Sequence, residues 1–245
     1  MANNNNLPAV RNIIQSDAVQ NSIKARLGDK AGTFTTSLLD VIGEDYALAK
    51  CDPKLVVKQA LKAAGLDLPL NKNLGFAYVI AYKNKGVYEP NFQMGFKGYI
   101  QLAIRTGQYK HLNAGIVYEG EEMIEDRIKG TLEIGGKKTS DKAIGYFCYM
   151  ELINGFEKAV AWSREKVQVH ANRFSKSINS KMSPWQSDFD AMALKTMVLQ
   201  LIPKYGPMTI EMSTAISSDR ADFKGFDGRM SEEIDDNANS EIIDI

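Results

Sequence analysis

Cysteine is nearly missing from this sequence: only Cys51 and Cys148 occur, and neither has a second thiol or a histidine at metal-ligand spacing. That excludes a disulfide framework and a small zinc site, and it implies reduced thiols in a cytoplasmic setting. Histidine is as scarce; His111 and His170 share no ligand spacing, which leaves a histidine-based metal centre without foundation. There is no run of about 18 apolar residues for a membrane span, and the opening Met-Ala-Asn-Asn-Asn-Asn lacks the basic and apolar regions of a signal peptide. A complete phosphate loop is missing too. Gly135-Gly136-Lys137-Lys138-Thr139 approaches one, but Thr131 stands where the first glycine belongs and Lys138 where a Ser or Thr would hold Mg²⁺, so nucleotide hydrolysis is not expected.

Net charge is also absent, since 30 basic and 30 acidic side chains cancel. The cancellation hides an asymmetry. Residues 213–245 carry nine acids against Arg220, Lys224 and Arg229, a net −6, so residues 1–212 carry +6. A basic body with an acidic tail points to a polyanionic partner. The local signal is stronger. From Leu68 to Tyr118 there are six basic residues (Lys72, Lys83, Lys85, Lys97, Arg105 and Lys110), nine aromatic residues and a single acid, Glu89. A solvated face normally mixes both signs. Basic groups that track phosphates and rings that stack on bases are together the recipe for single-stranded nucleic acid; a core of aromatics with scattered surface lysines is the alternative reading of the same window.

At the centre of that window lies Gly95 to Gly107. At helical period Phe96, Tyr99, Ile100, Ala103 and Ile104 form an apolar stripe, while Lys97, Gln101 and Arg105 recur at i, i+4 and i+8 beside it. Gly107 stands where a helix end favours positive φ. Before this helix, Phe76–Lys83 and Val87–Met94 read as strands joined at Asn84-Lys85-Gly86, with Pro90 marking an edge or an interruption.

The rest of the chain alternates between helical and strand patterns. Residues 1–6 read as a disordered asparagine tract. Leu7 to Leu27 reads as one amphipathic helix that packs on the rest of the chain or on a neighbouring subunit, and Thr33 to Ile42 as a short helix. Asp52-Pro53 is a strong helix start, with Gly65 as the stop. His111–Tyr118, Thr131–Ile134, Ala143–Leu152 and Glu157–Trp162 read as strands, the last two joined by an Asn154-Gly155 turn. Glu119 to Lys138 reads as a charged, exposed excursion. Ser163 caps a helix through about Phe174, Ser175 to Ser187 is a polar loop, Asp188 to Ile202 is a helix ended by Pro203 and Pro207, and Thr209 to Ser217 is a last short helix. Beyond Ser218 the composition implies disorder.

A second basic region contains Arg164, Lys166, Arg173, Lys176, Lys181, Lys195 and Lys204 against Glu165, Asp188 and Asp190. Trp185 within it suits either stacking on a base or anchoring the loop from inside. The acids Glu121, Glu122, Glu125 and Asp126 raise the alternative of a two-metal nuclease. Their contiguity, with no basic catalytic partner, favours a solvated loop instead.

Three blocks in order resemble a known family. They are Asp67-Leu68-Pro69-Leu70-Asn71-Lys72-Asn73-Leu74-Gly75, then Phe92-Gln93-Met94-Gly95-Phe96-Lys97-Gly98-Tyr99-Ile100-Gln101-Leu102-Ala103-Ile104-Arg105-Thr106-Gly107-Gln108-Tyr109, then Trp185 followed by Asp190-Ala191-Met192-Ala193-Leu194-Lys195-Thr196. They are similar to the RecT family of phage single-strand annealing proteins, a resemblance that covers roughly residues 33–212. Two departures stand out: Tyr88-Glu89-Pro90-Asn91 lengthens the approach to the hallmark segment, and Gln200 stands where relatives often carry a basic residue.

The resemblance implies a DNA-binding protein without bond chemistry, which coats single-stranded DNA and pairs it with a complementary strand without ATP. It implies an α+β fold, with a hairpin, a small antiparallel sheet and helices around a narrow basic groove. Rings or helical filaments, a phage exonuclease partner, a host single-strand binding protein and the cytoplasm of a bacterial host go with it. No cofactor is required, Mg²⁺ at most modulating DNA binding. By position, Lys97, Gln101, Arg105, Tyr82, Lys83 and Lys195 would line the groove; Gln93, Lys110, Lys176 and Trp185 complete the DNA-binding candidates. The expected domains are an N-terminal helical segment, 1–30, for oligomerisation, an annealing core, 31–212, and an acidic tail, 213–245. A non-catalytic coating protein, a nuclease and a structural phage protein are the competing readings.

Overall fold

The computed structural model describes residues 7–84, 86–175, 178, 183–210 and 212–217. The expectations for residues 1–6, for Lys176 and Lys181, and for the tail beyond Ser218 lie outside them. The fold is α+β, and the chain divides into two compact units, Met1–Tyr99 and Ile100–Ile245.

The first unit is a helical layer behind a hairpin. Its helices are α1 (Leu7–Ile14), α2 (Asp17–Leu27), α3 (Ala31–Glu44) and α4 (Pro53–Gly65). The single N-terminal helix expected over Leu7–Leu27 is broken in two. Ser16 is extended (φ −63°, ψ 141°), and its hydroxyl and the Gln20 amide donate to the Ile13 and Ile14 carbonyls that a continuous helix would use. Val10, Ile14 and Ile23 are at most 1% exposed in a core shared with Leu38, Ile42, Val56 and Ala60. The apolar face of this segment is therefore satisfied within its own unit. The Asp52 carboxylate accepts from the Lys54 amide at 2.8 Å and Pro53 takes the first helical position, as the sequence implies.

Strands β1 (Ala77–Asn84) and β2 (Val87–Met94) pair antiparallel, from Ala77 opposite Met94 to Asn84 opposite Val87. Pro90 lies opposite Ala81 in this two-stranded sheet, where both strands are edges. One face of the hairpin, Ala77, Val79, Ala81, Phe92 and Met94, is at most 6% exposed, and α4 packs against β2.

The second unit is built on the sheet β3 (Tyr109–Tyr118), β6 (Ala143–Leu152) and β7 (Glu157–Ser163), with β6 central. Tyr146, Cys148 and Met150 alternate into its core and are each 0% exposed. Helices α6 (Arg164–Phe174) and α8 (Phe189–Tyr205) cover that face, with α8 contributing Ala193, Met197, Val198 and Leu201. Residues 210 and 212–217 are helical. Burial holds the two thiols protonated, pushing Cys148 up to about 12 and, in the first unit, Cys51 up to about 11.

Three expectations for this unit are corrected. The acidic excursion is a hairpin: β4 (Glu121–Asp126) pairs with β5 (Thr131–Gly136), so its four acids alternate between two faces of a strand. At its tip Asp126 accepts from the amides of Ile128 and Lys129, which lower its pKa, the Lys129 amide first. Helix α8 runs through Pro203 to Tyr205, because a proline in the last turn forfeits one backbone bond while Gly206 still donates to the Ile202 carbonyl at 2.9 Å. The polar loop contains a helical turn, α7 (Pro184–Ser187), capped by the Ser183 hydroxyl.

Candidate nucleic-acid interface

The hairpin separates two of the expected partners. Neighbouring residues of a strand project to opposite faces, so Tyr82 and Lys83 cannot line one groove together. The register places Tyr78, Tyr82 and Gln93 on one face. There the Gln93 amide, on a side chain 6% exposed, donates to the Tyr82 hydroxyl at 2.7 Å, which fixes the ring of a half-buried tyrosine. Lys97 comes to the same neighbourhood. A Cβ placed on Gly75 would meet the Tyr78 hydroxyl at 3.3 Å and Lys97 Cδ at 3.4 Å, so the bare Gly75 backbone (φ +73°) is the floor on which both lie. That gives the Asp67–Gly75 block a physical role.

Lys83 belongs to a different cluster, on the opposite hairpin face. Its Nζ is 5.8 Å from the Tyr88 ring, Lys50 Nζ is also 5.8 Å from Tyr88, and Lys50 Nζ sits 4.1 Å over Tyr46, which is 52% exposed. The Tyr46 hydroxyl raises the Lys50 pKa. Tyr46, Lys50 and Tyr88 are missed by the sequence reading, because the first two lie outside the basic window and only pairing brings them to Lys83.

Helix α5 (Phe96–Arg105) carries the chain from the first unit into the second. Gly107, at φ +69°, ends it as expected. Its buried stripe is rotated from the predicted one: Gly98, Tyr99, Leu102 and Ala103 are buried, whereas Ile104 is 54% exposed. The rotation sharpens the opposite edge. Lys97 and Arg105 are exposed and Gln101 is half-buried along one helix, and eight residues of helix set the two cations about 12 Å apart along its axis. Gly95 and Gly98 fix where this helix starts. Gly95 donates its amide to the Phe76 carbonyl at 3.0 Å, and a Cβ on Gly98 would overlap that same carbonyl oxygen.

The remaining candidates scatter. Lys110 is exposed but bonded to Glu151 at 2.6 Å, so a phosphate must compete with a carboxylate for it. Lys195 is 8% exposed within α8. Trp185 is 7% exposed and sets its ring edge-on to Phe189 at 5.4 Å, which makes it the internal anchor of its loop and not a stacking platform. Lys176 lies outside the described residues. Asp190, in the third family-like block, joins β6, α6 and α8. The Tyr146 hydroxyl donates to it at 2.5 Å and the Arg164 guanidinium at 3.1 Å, with that guanidinium 4.2 Å over Phe189. Burial, then the Asp190 carboxylate, hold the Tyr146 phenol well above its ordinary range. Among the described residues no group of three or more His, Cys, Asp or Glu is placed to hold a metal ion, and no helix is long and apolar enough to cross a membrane.

Comparison with known proteins agrees with this architecture. The RecT family matches residues 32–238. The uncharacterized protein YqaK of Bacillus subtilis (strain 168) is 41% identical over 208 residues, covering 84% of this chain and 70% of YqaK. Protein RecT of Escherichia coli (strain K12) is 28% identical over 182 residues, covering 71% of this chain and 65% of RecT. All three sequence blocks and the α5 edge fall inside the matched range. The chain belongs to the RecT family of phage single-strand DNA annealing proteins.

Proposed function

We propose that this member of a DNA-recombination family anneals single strands without ATP, holding the first strand by its phosphates along the exposed edge of α5. The observation that carries the reading is that edge: Lys97, Gln101 and Arg105 in one line on a helix whose other side is buried. Backbone neutralisation leaves the Watson–Crick edges free for a second strand, and it lowers the repulsion between two polyanions. Annealing needs no bond chemistry beyond this. Tyr82, oriented by the buried Gln93, borders the strand path on the first unit; Lys83 with Lys50, Tyr46 and Tyr88 forms a separate contact on the opposite hairpin face.

Each protomer holds a few nucleotides, and neighbours in a ring or filament continue the track, so weak contacts sum by avidity. Residues 1–30 are proposed to contribute to that assembly through their exposed side chains, since Val10, Ile14 and Ile23 are already buried. The single strand comes from an exonuclease that resects duplex DNA, and a host single-strand binding protein is the other expected partner. The acidic tail shields the basic body or docks such a partner.

The nuclease alternative lacks support from geometry, because the four acids of β4 alternate between two faces and Asp126 is committed to its turn. Incubating the protein with an end-labelled single strand and Mg²⁺, without ATP, separates the readings. Retarded DNA of unchanged length is the expected result; progressive shortening would overturn the proposal in favour of a nuclease.

A further inference from the structure

We propose that a cleft of about 250 Å³ in the second unit holds one unpaired nucleotide of single-stranded DNA, its base against Trp162 and Tyr205 and its phosphate on Lys158 and Lys166. The ligand class rests on the reading above; the site is additional to the α5 edge and the hairpin.

The cleft is walled by the β4–β5 tip, β7, the start of α6 and the end of α8. Two aromatic rings face it, and each carries a lysine. Lys166 Nζ lies 4.6 Å from the Trp162 ring centre, and Lys158 Nζ lies 5.2 Å from that of Tyr205, which is 43% exposed. An ammonium over a ring on a flexible stem occupies the place that a stacked base would take, and it can swing aside to the phosphate as the base arrives.

The rings are held in place by what lies around them. Trp162 is backed by His170 at 5.2 Å, and His170 by Phe174 at 4.6 Å, so three rings, each tilted against the next, run in series behind the cleft. Among the described residues neither imidazole nitrogen of His170 has a hydrogen-bond partner, and burial lowers its pKa to about 4, which keeps that ring series neutral and apolar behind Trp162. Lys158 reaches Tyr205 by crossing Gly130. At φ +74° and without a side chain, Gly130 leaves the room that a Cβ would take from the lysine stem.

Arg127 adds a third cation at the rim, and Glu125 and Asp126 bring carboxylates. Asp126 is engaged by the Ile128 and Lys129 amides. Glu125 is placed to accept from an exocyclic amine of a base, as carboxylates do from cytosine. Rings, cations and a carboxylate together suit a nucleotide better than an acidic peptide, which the carboxylates would repel.

The test uses the full chain and an oligothymidylate carrying one 5-iodouracil, irradiated in complex and mapped by mass spectrometry, beside a salt titration of a Lys158→Ala/Lys166→Ala variant. Adducts on Trp162 or Tyr205 are expected. For the variant, affinity at low salt should fall about tenfold, with a log–log salt slope shallower by about 0.7, as for one phosphate no longer neutralised, and an unchanged melting curve. Wild-type DNA binding with adducts confined to other residues and an unchanged slope in the variant would overturn the cleft and leave the annealing reading standing. Failure of the wild type to bind the strand would overturn both.

Discussion

Replacing Gly98 with alanine is expected to destabilise the hairpin-bearing unit by about 2 kcal/mol and to lower its melting temperature by about 10 °C. Intrinsic propensity argues the other way. Glycine inside a helix costs about 1 kcal/mol relative to alanine, so on a free helix the change would stabilise. The surroundings decide the sign. An added Cβ overlaps the Phe76 carbonyl oxygen, lies 3.1 Å from its carbon, and meets Met94 Cε at 3.4 Å. A backbone carbonyl held by the Gly95 amide cannot swing away as a flexible side chain would. The helix must lift off the hairpin, carrying Lys97 with it, so DNA affinity should fall along with stability. Urea unfolding checks the first effect and fluorescence anisotropy the second. A more stable Gly98→Ala protein would show that α5 is not seated as described.

Removing both cations of the α5 edge should have the largest effect on binding. For Lys97→Ala/Arg105→Ala we expect single-strand affinity to fall about a hundredfold at low salt, about 1.4 kcal/mol for each charged contact. The log–log salt slope should become shallower by about 1.4, since each phosphate contact on a single strand contributes about 0.7. Both side chains are exposed, so the fold should persist with an unchanged far-ultraviolet spectrum. The slope is the more informative number. A weaker complex with an undiminished slope would mean that the substitutions act on conformation and that phosphates are held elsewhere.

Much of this was legible in the sequence because local chemistry and tertiary context agree. Asp52-Pro53, Ser163 and the Asn154-Gly155 turn each specify their element without help, and each is found in place. The charged edge of α5 was legible for the same reason, since i, i+4 and i+8 fix a stripe whatever the helix packs on. Its buried face was not. Ile104 and Leu102 are equally apolar, and only tertiary packing decides that Leu102 is buried and Ile104 exposed.

The other misses have the same character. Strand β4 is Glu121-Glu122-Met123-Ile124-Glu125-Asp126, a poor strand composition that adopts the form because β5 pairs with it. Trp185 could have faced out or in; packing against Phe189 decided. Tyr82 and Lys83 were assigned to one groove by their position in the family-like segment, whereas a strand sends neighbours to opposite faces. Lys50 and Tyr46 reach Lys83 and Tyr88 only through the fold, because the two pairs lie in separate elements far apart in the chain.

The central claim is that electrostatic capture of one strand speeds its pairing with another. Mixing two complementary dye-labelled oligonucleotides with the protein, without ATP and across a salt series, tests it most directly. The account predicts pairing faster than the spontaneous rate, with an acceleration that fades as salt rises. Binding of the single strand with no acceleration of pairing at any salt concentration would contradict it and leave a coating protein.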